Sequence, residues 1–171
     1  IETLRLSQNQ GYGGGIAAGL AELNATHRPE LLGWAWGDGQ VDLRVIPALV
    51  AELDRGADLA KVVRTERQDG ALRRVNSAAW GWWCAQMGAQ HADLNGCPKV
   101  FRAELARGLP LCSRDWFLDA ELMLHLADRG MRVAALPAVM RPRAGGKSKV
   151  KPQVAATLGL KVAAWRLGWR P

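Results

Sequence analysis

The sequence predicts an α/β domain, a sheet flanked by helices, and three observations carry that reading. Apolar runs of strand length alternate along the chain with runs of helical spacing. Glycine, proline and an Asn-Gly pair fall between these runs and punctuate them. No internal repeat or low-complexity tract breaks the alternation, and 171 residues are enough for one domain with a substantial core.

Glu2–Leu6 alternates weakly and is expected as a short strand. Asn9-Gln10-Gly11-Tyr12-Gly13-Gly14-Gly15 follows, with four glycines in the five positions 11–15. Such a run lets the backbone turn and approach a ligand closely. Ile16–Leu23 then reads as a small-residue helix. A strand, a glycine turn and a helix form a candidate phosphate or nucleotide site, because the N–H groups at a helix start attract anions. A tight turn with close helix–sheet packing explains the same residues.

Pro29 breaks the chain, and Leu31–Trp36 is expected as a buried strand. It ends in Gly37-Asp38-Gly39-Gln40, an acidic turn at the carboxyl end of a strand, where α/β folds bind ligands. Leu43–Arg55 is a helix with Ile46, Leu49, Val50 and Leu53 on one face, stopped by Gly56. Asp58–Val63 is the next strand. Val75–Met87 is a helix carrying Trp80, Trp82 and Trp83, aromatics suited to a core or a membrane face. Asp93–Lys99 is a turn, since Asn95-Gly96 favours a positive φ and Pro98 restricts the backbone beside it. Val100-Phe101-Arg102 opens an element that Gly108–Pro110 closes. Phe117–Arg129 is a helix ended by Gly130, and Met131–Leu136 is a strand ended by Pro137. Val154–Trp169 has helical apolar spacing, and suits a membrane interface slightly better than a docked position.

A net charge of +7 favours an anionic partner. The basic residues gather in Arg64–Arg74, Arg141–Lys151 and Lys161–Arg170. The first cluster is a solvated loop or a diphosphate clamp, since guanidinium groups pair with phosphate oxygens two at a time. The three cysteines lack CxxC spacing, which points to reduced cytosolic thiols rather than a disulfide frame or a zinc site. His27, His91 and His125 show no ligand spacing. No apolar run approaches the length of a membrane span. Residue 1 is Ile and no secretory signal pattern precedes the first apolar segment, so a processed product or a piece of a longer chain is expected.

Chemistry concentrates in Asp115-Trp116-Phe117-Leu118-Asp119-Ala120-Glu121 and in the glycine-bearing basic stretch Arg143-Ala144-Gly145-Gly146-Lys147-Ser148-Lys149. A carboxylate pair followed by a phosphate-sized cationic loop suits an anionic substrate.

Several motifs then fall in one order. They are Asn9-x-Gly11-Tyr12-Gly13-Gly14, Gly37-Asp38-Gly39-Gln40, Arg64-x-x-Arg67-x-Asp69-x-x-x-Arg73-x-x-x-Ser77, Asn95-Gly96-x-Pro98-Lys99, Phe117-Leu118-Asp119-Ala120-Glu121 and Arg143-x-x-Gly146-x-Ser148-Lys149. Together they resemble a family-2 glycosyltransferase of the GT-A fold, with a Rossmann-like mixed sheet and flanking helices. Within that family the pattern is similar to the polyprenyl-phosphate sugar transferases of the dolichol-phosphate mannose synthase type. Residues 1–150 would be the catalytic domain and 151–171 an amphipathic C-terminal helix.

The resemblance implies inverting transfer from a nucleotide sugar to a polyprenyl-phosphate or glycan acceptor. It implies Asp119 as the catalytic carboxylate and Glu121 and Asp69 as supporting residues. Asn9, Gly11, Asp38, Gln40, Arg67 and Arg73 would meet the donor and its diphosphate. Arg143, Lys147, Ser148 and Lys149 would meet the acceptor phosphate. It implies Mg²⁺ or Mn²⁺ held by Asp38 and Gln40, an expectation weakened because Trp36 replaces the first acid of the family's metal motif. The protein would be cytoplasmic and peripheral at the inner face of the membrane, with no nucleic acid as partner. The family's opening strand, its Pro-x-Tyr-Asn-Glu-like turn and its acidic pair have no counterpart. The domain is therefore expected to be N-terminally incomplete, the later two-thirds of its kind, and catalytically deficient without the missing segment.

Two other readings stay open. Gly13-x-Gly15-x-x-Ala18 with Asp38 twenty residues on has the outline of a dinucleotide-binding Rossmann unit. The charge and the tryptophan-rich helices also allow a non-catalytic basic binding module. A P-loop is excluded, because Arg141 stands where its first glycine would be.

Overall fold

The computed structural model describes residues 2–67, 81–83, 85, 93–141 and 152–171. Helix α1 runs Gly11–Thr26, strand β1 Leu31–Trp34, helix α2 Ile46–Asp54, strand β2 Leu59–Arg67 and strand β3 Lys99–Arg102. Helix α3 follows at Ala103–Gly108, then helix α4 at Leu118–Asp128, strand β4 at Val133–Met140 and helix α5 at Pro152–Arg166. The described strands form one mixed sheet in the order β1-β3-β2-β4. β3 is antiparallel to both β1 and β2, and β4 is parallel to β2. The chain is α/β, with helices on both faces of the sheet.

Alternation along the strands sorts the two faces. Leu32, Leu59 and Phe101 point into a core shared with α4 and α5, where Leu122, Leu126, Leu158, Val162 and Trp165 are buried. Ala60, Val62 and Val100 point the other way, onto Leu49 and Leu53 of α2. Ala134, Leu136 and Ala138 of β4 extend that second cluster.

Four expectations need correction. Glu2–Leu6 is no strand: it is largely exposed, and Glu2 instead meets His27 at 2.9 Å. The Rossmann reading thereby loses the strand it requires before its glycines. Those glycines are not a turn ahead of the helix either, since Gly11–Gly15 form the first turns of α1. Finally, Pro137 does not end a strand. β4 passes through it to Met140, because β4 is an edge strand in the described sheet and an edge tolerates a residue without an N–H.

The helix expected at 43–55 begins as a 3₁₀ turn, Leu43–Val45, and the side chain of Asp42, which caps its start, accepts the Arg44 N–H. Of the helix expected at 75–87, residues 81–83 and 85 are helical. Trp83 packs on the core and donates to the Gly159 carbonyl at 3.2 Å, while Trp82 is exposed. α5 docks on the domain. Trp165 lies edge-on to His125 at 4.7 Å and donates to Asp128 Oδ2 at 2.8 Å. Leu160 and Leu167 stay exposed. Among the described residues no helix is long and apolar enough to cross a membrane.

Candidate functional site

The carboxyl ends of the parallel strands β1 and β2 lie on the same edge of the sheet as the start of β3. Register pairs Trp34 of β1 with Lys99 of β3, and Lys99 with Lys61 of β2. The three side chains therefore form a transverse row at this edge. The period of two aims that row at α4, on the same face as Leu32, Phe101 and Leu59. Asp119, in the first turn of α4, sits over it.

Asp119 is only 1% exposed, and its carboxylate accepts three hydrogen bonds. Lys99 Nζ donates to Oδ1 at 2.5 Å and Trp34 Nε1 to Oδ1 at 3.2 Å, while the Tyr12 hydroxyl donates to Oδ2 at 2.8 Å. Burial lowers the Lys99 pKa, but Asp119 and the neighbouring Cys97 outweigh it and hold the ammonium above its ordinary value. Burial, then the Asp119 charge, raise the Tyr12 phenol far above its usual range. Lys61 is the counterweight: burial first, then the Lys99 charge, bring it down to about 7. Its ammonium donates to the Asp93 carbonyl.

Glu121, also fully buried, turns the other way along α4. Its Oε1 accepts the Cys112 N–H and its Oε2 the Ser113 N–H, both at 2.9 Å. That holds the loop before α4, whose Arg114 carbonyl accepts the Gly14 N–H at 2.9 Å. The approach is so close that a Cβ on Gly13 would sit 2.6 Å from the Asp115 carbonyl oxygen. Tyr12 stacks on Trp116 across the same contact, with ring centroids 4.3 Å apart. The glycines thus serve close packing of α1, and the Gly14 N–H is taken up by protein. Asn9 Oδ1 accepts the Gly11 N–H at 2.8 Å, and Gly11 takes the positive φ of 74° that the start of α1 requires.

The Gly37–Gln40 turn follows β1 at the same edge. Asp38 Oδ1 accepts the Gln40 N–H at 3.2 Å. Gln40 is clasped to Arg141: its Nε2 donates to the Arg141 carbonyl at 3.1 Å, and the Arg141 N–H donates to the Gln40 carbonyl at 2.8 Å. Trp36 donates to the Tyr12 hydroxyl at 3.1 Å, and the Arg64 guanidinium lies 4.9 Å from its ring centroid. Arg64 is itself held by both oxygens of Asp93. Burial raises the Asp93 carboxyl, but the Arg64 bonds and charge prevail and hold it below the carboxylate range.

A divalent cation prefers several oxygen ligands, and those the protein does not supply come from water or a bound diphosphate. The motif offers the carboxylate of Asp38 and the amide of Gln40, with an indole at the third position. Among the described residues no group of three or more His, Cys, Asp or Glu is placed to hold a metal.

The structure therefore brings Asp119, Asn9, Gly11, Asp38, Gln40 and Glu121 to one end of the sheet. Arg67 ends β2 opposite Met140, and its side chain lies outside the described part. Asp69, Arg73, Arg143, Lys147, Ser148 and Lys149 fall outside the described residues. Tyr12, Arg64 and Lys99 stand in the motifs quoted above without these contacts being foreseen, and Trp34, Lys61 and Asp93 are not assigned to the site by the sequence. A lysine inside an apolar strand run, as in Leu59-Ala60-Lys61-Val62-Val63, is the signal that could have found one of them. Cys97 is a buried free thiol that burial pushes up to about 11, and Cys112 is an exposed one.

No protein-family model matches the chain. Its curated relatives include an uncharacterized glycosyltransferase of Mycobacterium bovis and two of Mycobacterium tuberculosis. Each is 30% identical over 168 residues, covering 92% of this chain and 72% of the relative. That likeness spans nearly the whole chain, including the edge where Asp119, Asp38 and Glu121 gather. It carries a general chemistry, the transfer of a sugar from a donor to an acceptor. By this relationship the chain belongs to the glycosyltransferases.

Proposed function

We propose that this chain works as a GT-A-like, family-2 transferase moving a sugar from a nucleotide-sugar donor to a polyprenyl-phosphate acceptor with inversion. The observation that carries the reading is the clasp between Gln40 and Arg141. It holds the acidic turn after β1 against the root of the basic stretch that continues in sequence through Arg143, Lys147, Ser148 and Lys149. A donor diphosphate and an acceptor phosphate both need cations, and the clasp fixes Arg141, the start of that basic stretch, beside the acidic turn.

In the proposed reaction an acceptor phosphate oxygen attacks the anomeric carbon opposite the nucleoside diphosphate, whose carbon–oxygen bond breaks. Arg67 and Arg73 bind the diphosphate, and Asn9 and Gly11 shape the wall beside it. Arg143, Lys147, Ser148 and Lys149 bind the acceptor phosphate. A phosphomonoester has a second pKa of about 6 and is already largely ionised near neutral pH, so the attack needs no protein base. Asp119 then acts as a positioning residue, with both oxygens committed to Lys99, Trp34 and Tyr12. Glu121 and Asp69 support the site. The protein works at the cytoplasmic face of a membrane, where its lipid acceptor resides.

The test is transfer of labelled sugar by the full-length gene product, from a panel of nucleotide sugars, into synthetic polyprenyl phosphate in detergent. Label should enter the lipid fraction with one donor at least. Transfer with none, together with no nucleotide binding by calorimetry, sinks the proposal.

A further inference from the structure

The indole N–H of Trp36 can only donate, and it donates to the Tyr12 hydroxyl. Tyr12 has one proton, and it goes to Asp119. The bonds therefore run in a single direction, from Trp36 through Tyr12 to Asp119. An acid at position 36 has no N–H to offer, so the Tyr12 hydroxyl would lose this donor. The residue at 36 is thus matched to the buried network behind it. On its other side Trp36 carries Arg64 against its ring, an arrangement that places a cation where the resemblance expects an anion. The Asp93 contacts engage Nε and Nη2 of Arg64, and a guanidinium has five N–H donors in all. Arg141, clasped to Gln40, brings a second guanidinium to the same turn, paired with Asp42 at 2.9 Å. Both guanidiniums are held at this end by a carboxylate partner, Arg64 by Asp93 and Arg141 by Asp42, and the motif gives a dication at Asp38 no second carboxylate.

We propose that this chain meets the charge of its donor's diphosphate with guanidinium groups, Arg64 and Arg141 among them, and without a divalent cation at Asp38 and Gln40. The proposal rests on the donor being a nucleoside diphosphate sugar. Guanidinium suits this task, because its planar fork pairs with phosphate oxygens and its charge persists at any working pH.

Two measurements on the full-length protein test it. In the first, Mn²⁺ alone is titrated and its free signal read by electron paramagnetic resonance. The expected result is no saturable loss of free Mn²⁺ up to millimolar concentration, and the same curve for Asp38→Asn. A saturable site that Asp38→Asn abolishes overturns the proposal. In the second, sugar transfer is compared in chelator and in Mg²⁺ or Mn²⁺. An unchanged rate is expected. Activity lost in chelator and restored by metal overturns the proposal while leaving glycosyl transfer intact. Absence of transfer in both buffers counts against the proposed reaction instead, and the Mn²⁺ titration still decides the question of the metal.

Discussion

Lys99 of β3 and Asp119 of α4 form an ion pair sealed from solvent, at 2.5 Å, with side chains 0% and 1% exposed. Each charge has given up its water and depends on the other. Breaking such a pair by removing one partner leaves a stranded charge and costs about 3–5 kcal/mol. Lys99→Met and Asp119→Leu should each lose about that much in urea unfolding, while the double variant Lys99→Met/Asp119→Leu should lose clearly less than the sum. Additive losses would show that the two residues stabilise the fold independently.

The second buried lysine makes stability depend on pH. Lys61 drops from 10.5 in the unfolded chain to about 7 in the folded protein. Between those values the unfolded chain binds more protons, so stability rises with pH. The slope is at most about 1.4 kcal/mol per pH unit. The groups facing Lys61 are Lys99, Asp93, Asp119 and Cys97. Cys97, raised from 9.0 to about 11, acts in the opposite sense above pH 9. The rise should therefore show most clearly from pH 7 to 9 and flatten in Lys61→Met. An equal slope in the variant would assign it to other groups.

Two glycines of α1 should respond oppositely to alanine. On Gly13 the new Cβ would meet the Asp115 carbonyl oxygen at 2.6 Å, so α1 must move off the loop before α4. A loss of about 1–3 kcal/mol is expected. On Gly19 a Cβ meets nothing within 4 Å, and helix propensity alone should add about 0.5–1 kcal/mol. Thermal melts of Gly13→Ala and Gly19→Ala read both signs.

Glu121→Gln isolates the buried loop anchor. A glutamine presents one oxygen where the carboxylate presents two to the N–H groups of Cys112 and Ser113. One amide would then face another donor, at a cost of about 1–3 kcal/mol. Hydrogen exchange at Cys112 and Ser113 should accelerate. Unchanged exchange at both would remove Glu121 as the anchor of that loop.

Much of the fold was legible in the residues. The strands expected at Leu31–Trp36 and Asp58–Val63 fall on β1 and β2 with shifted ends, and Gly56 and Gly130 take the positive φ that ends α2 and α4. Pro137 misled because a proline disrupts a strand only where its missing N–H would face a paired neighbour, and position in a sheet is a tertiary property. Asp119 could be located by its motif, but its partners could not. Tyr12 reaches it across 107 residues and Trp34 across 85, and no local pattern encodes such contacts. The glycines of α1 were ambiguous for the same reason. A ligand and the Arg114–Asp115 backbone make the same demand on them, the absence of a Cβ.

Pro137 has a consequence beyond the shape of β4. An edge strand offers its unpaired backbone groups to any strand that drifts alongside, including one from another copy of the same chain. Along β4 the row of amide hydrogens is interrupted at Pro137, midway between Val133 and Met140. Whichever strand lies beside β4, none can take a hydrogen bond from position 137, a gap at the middle of the strand.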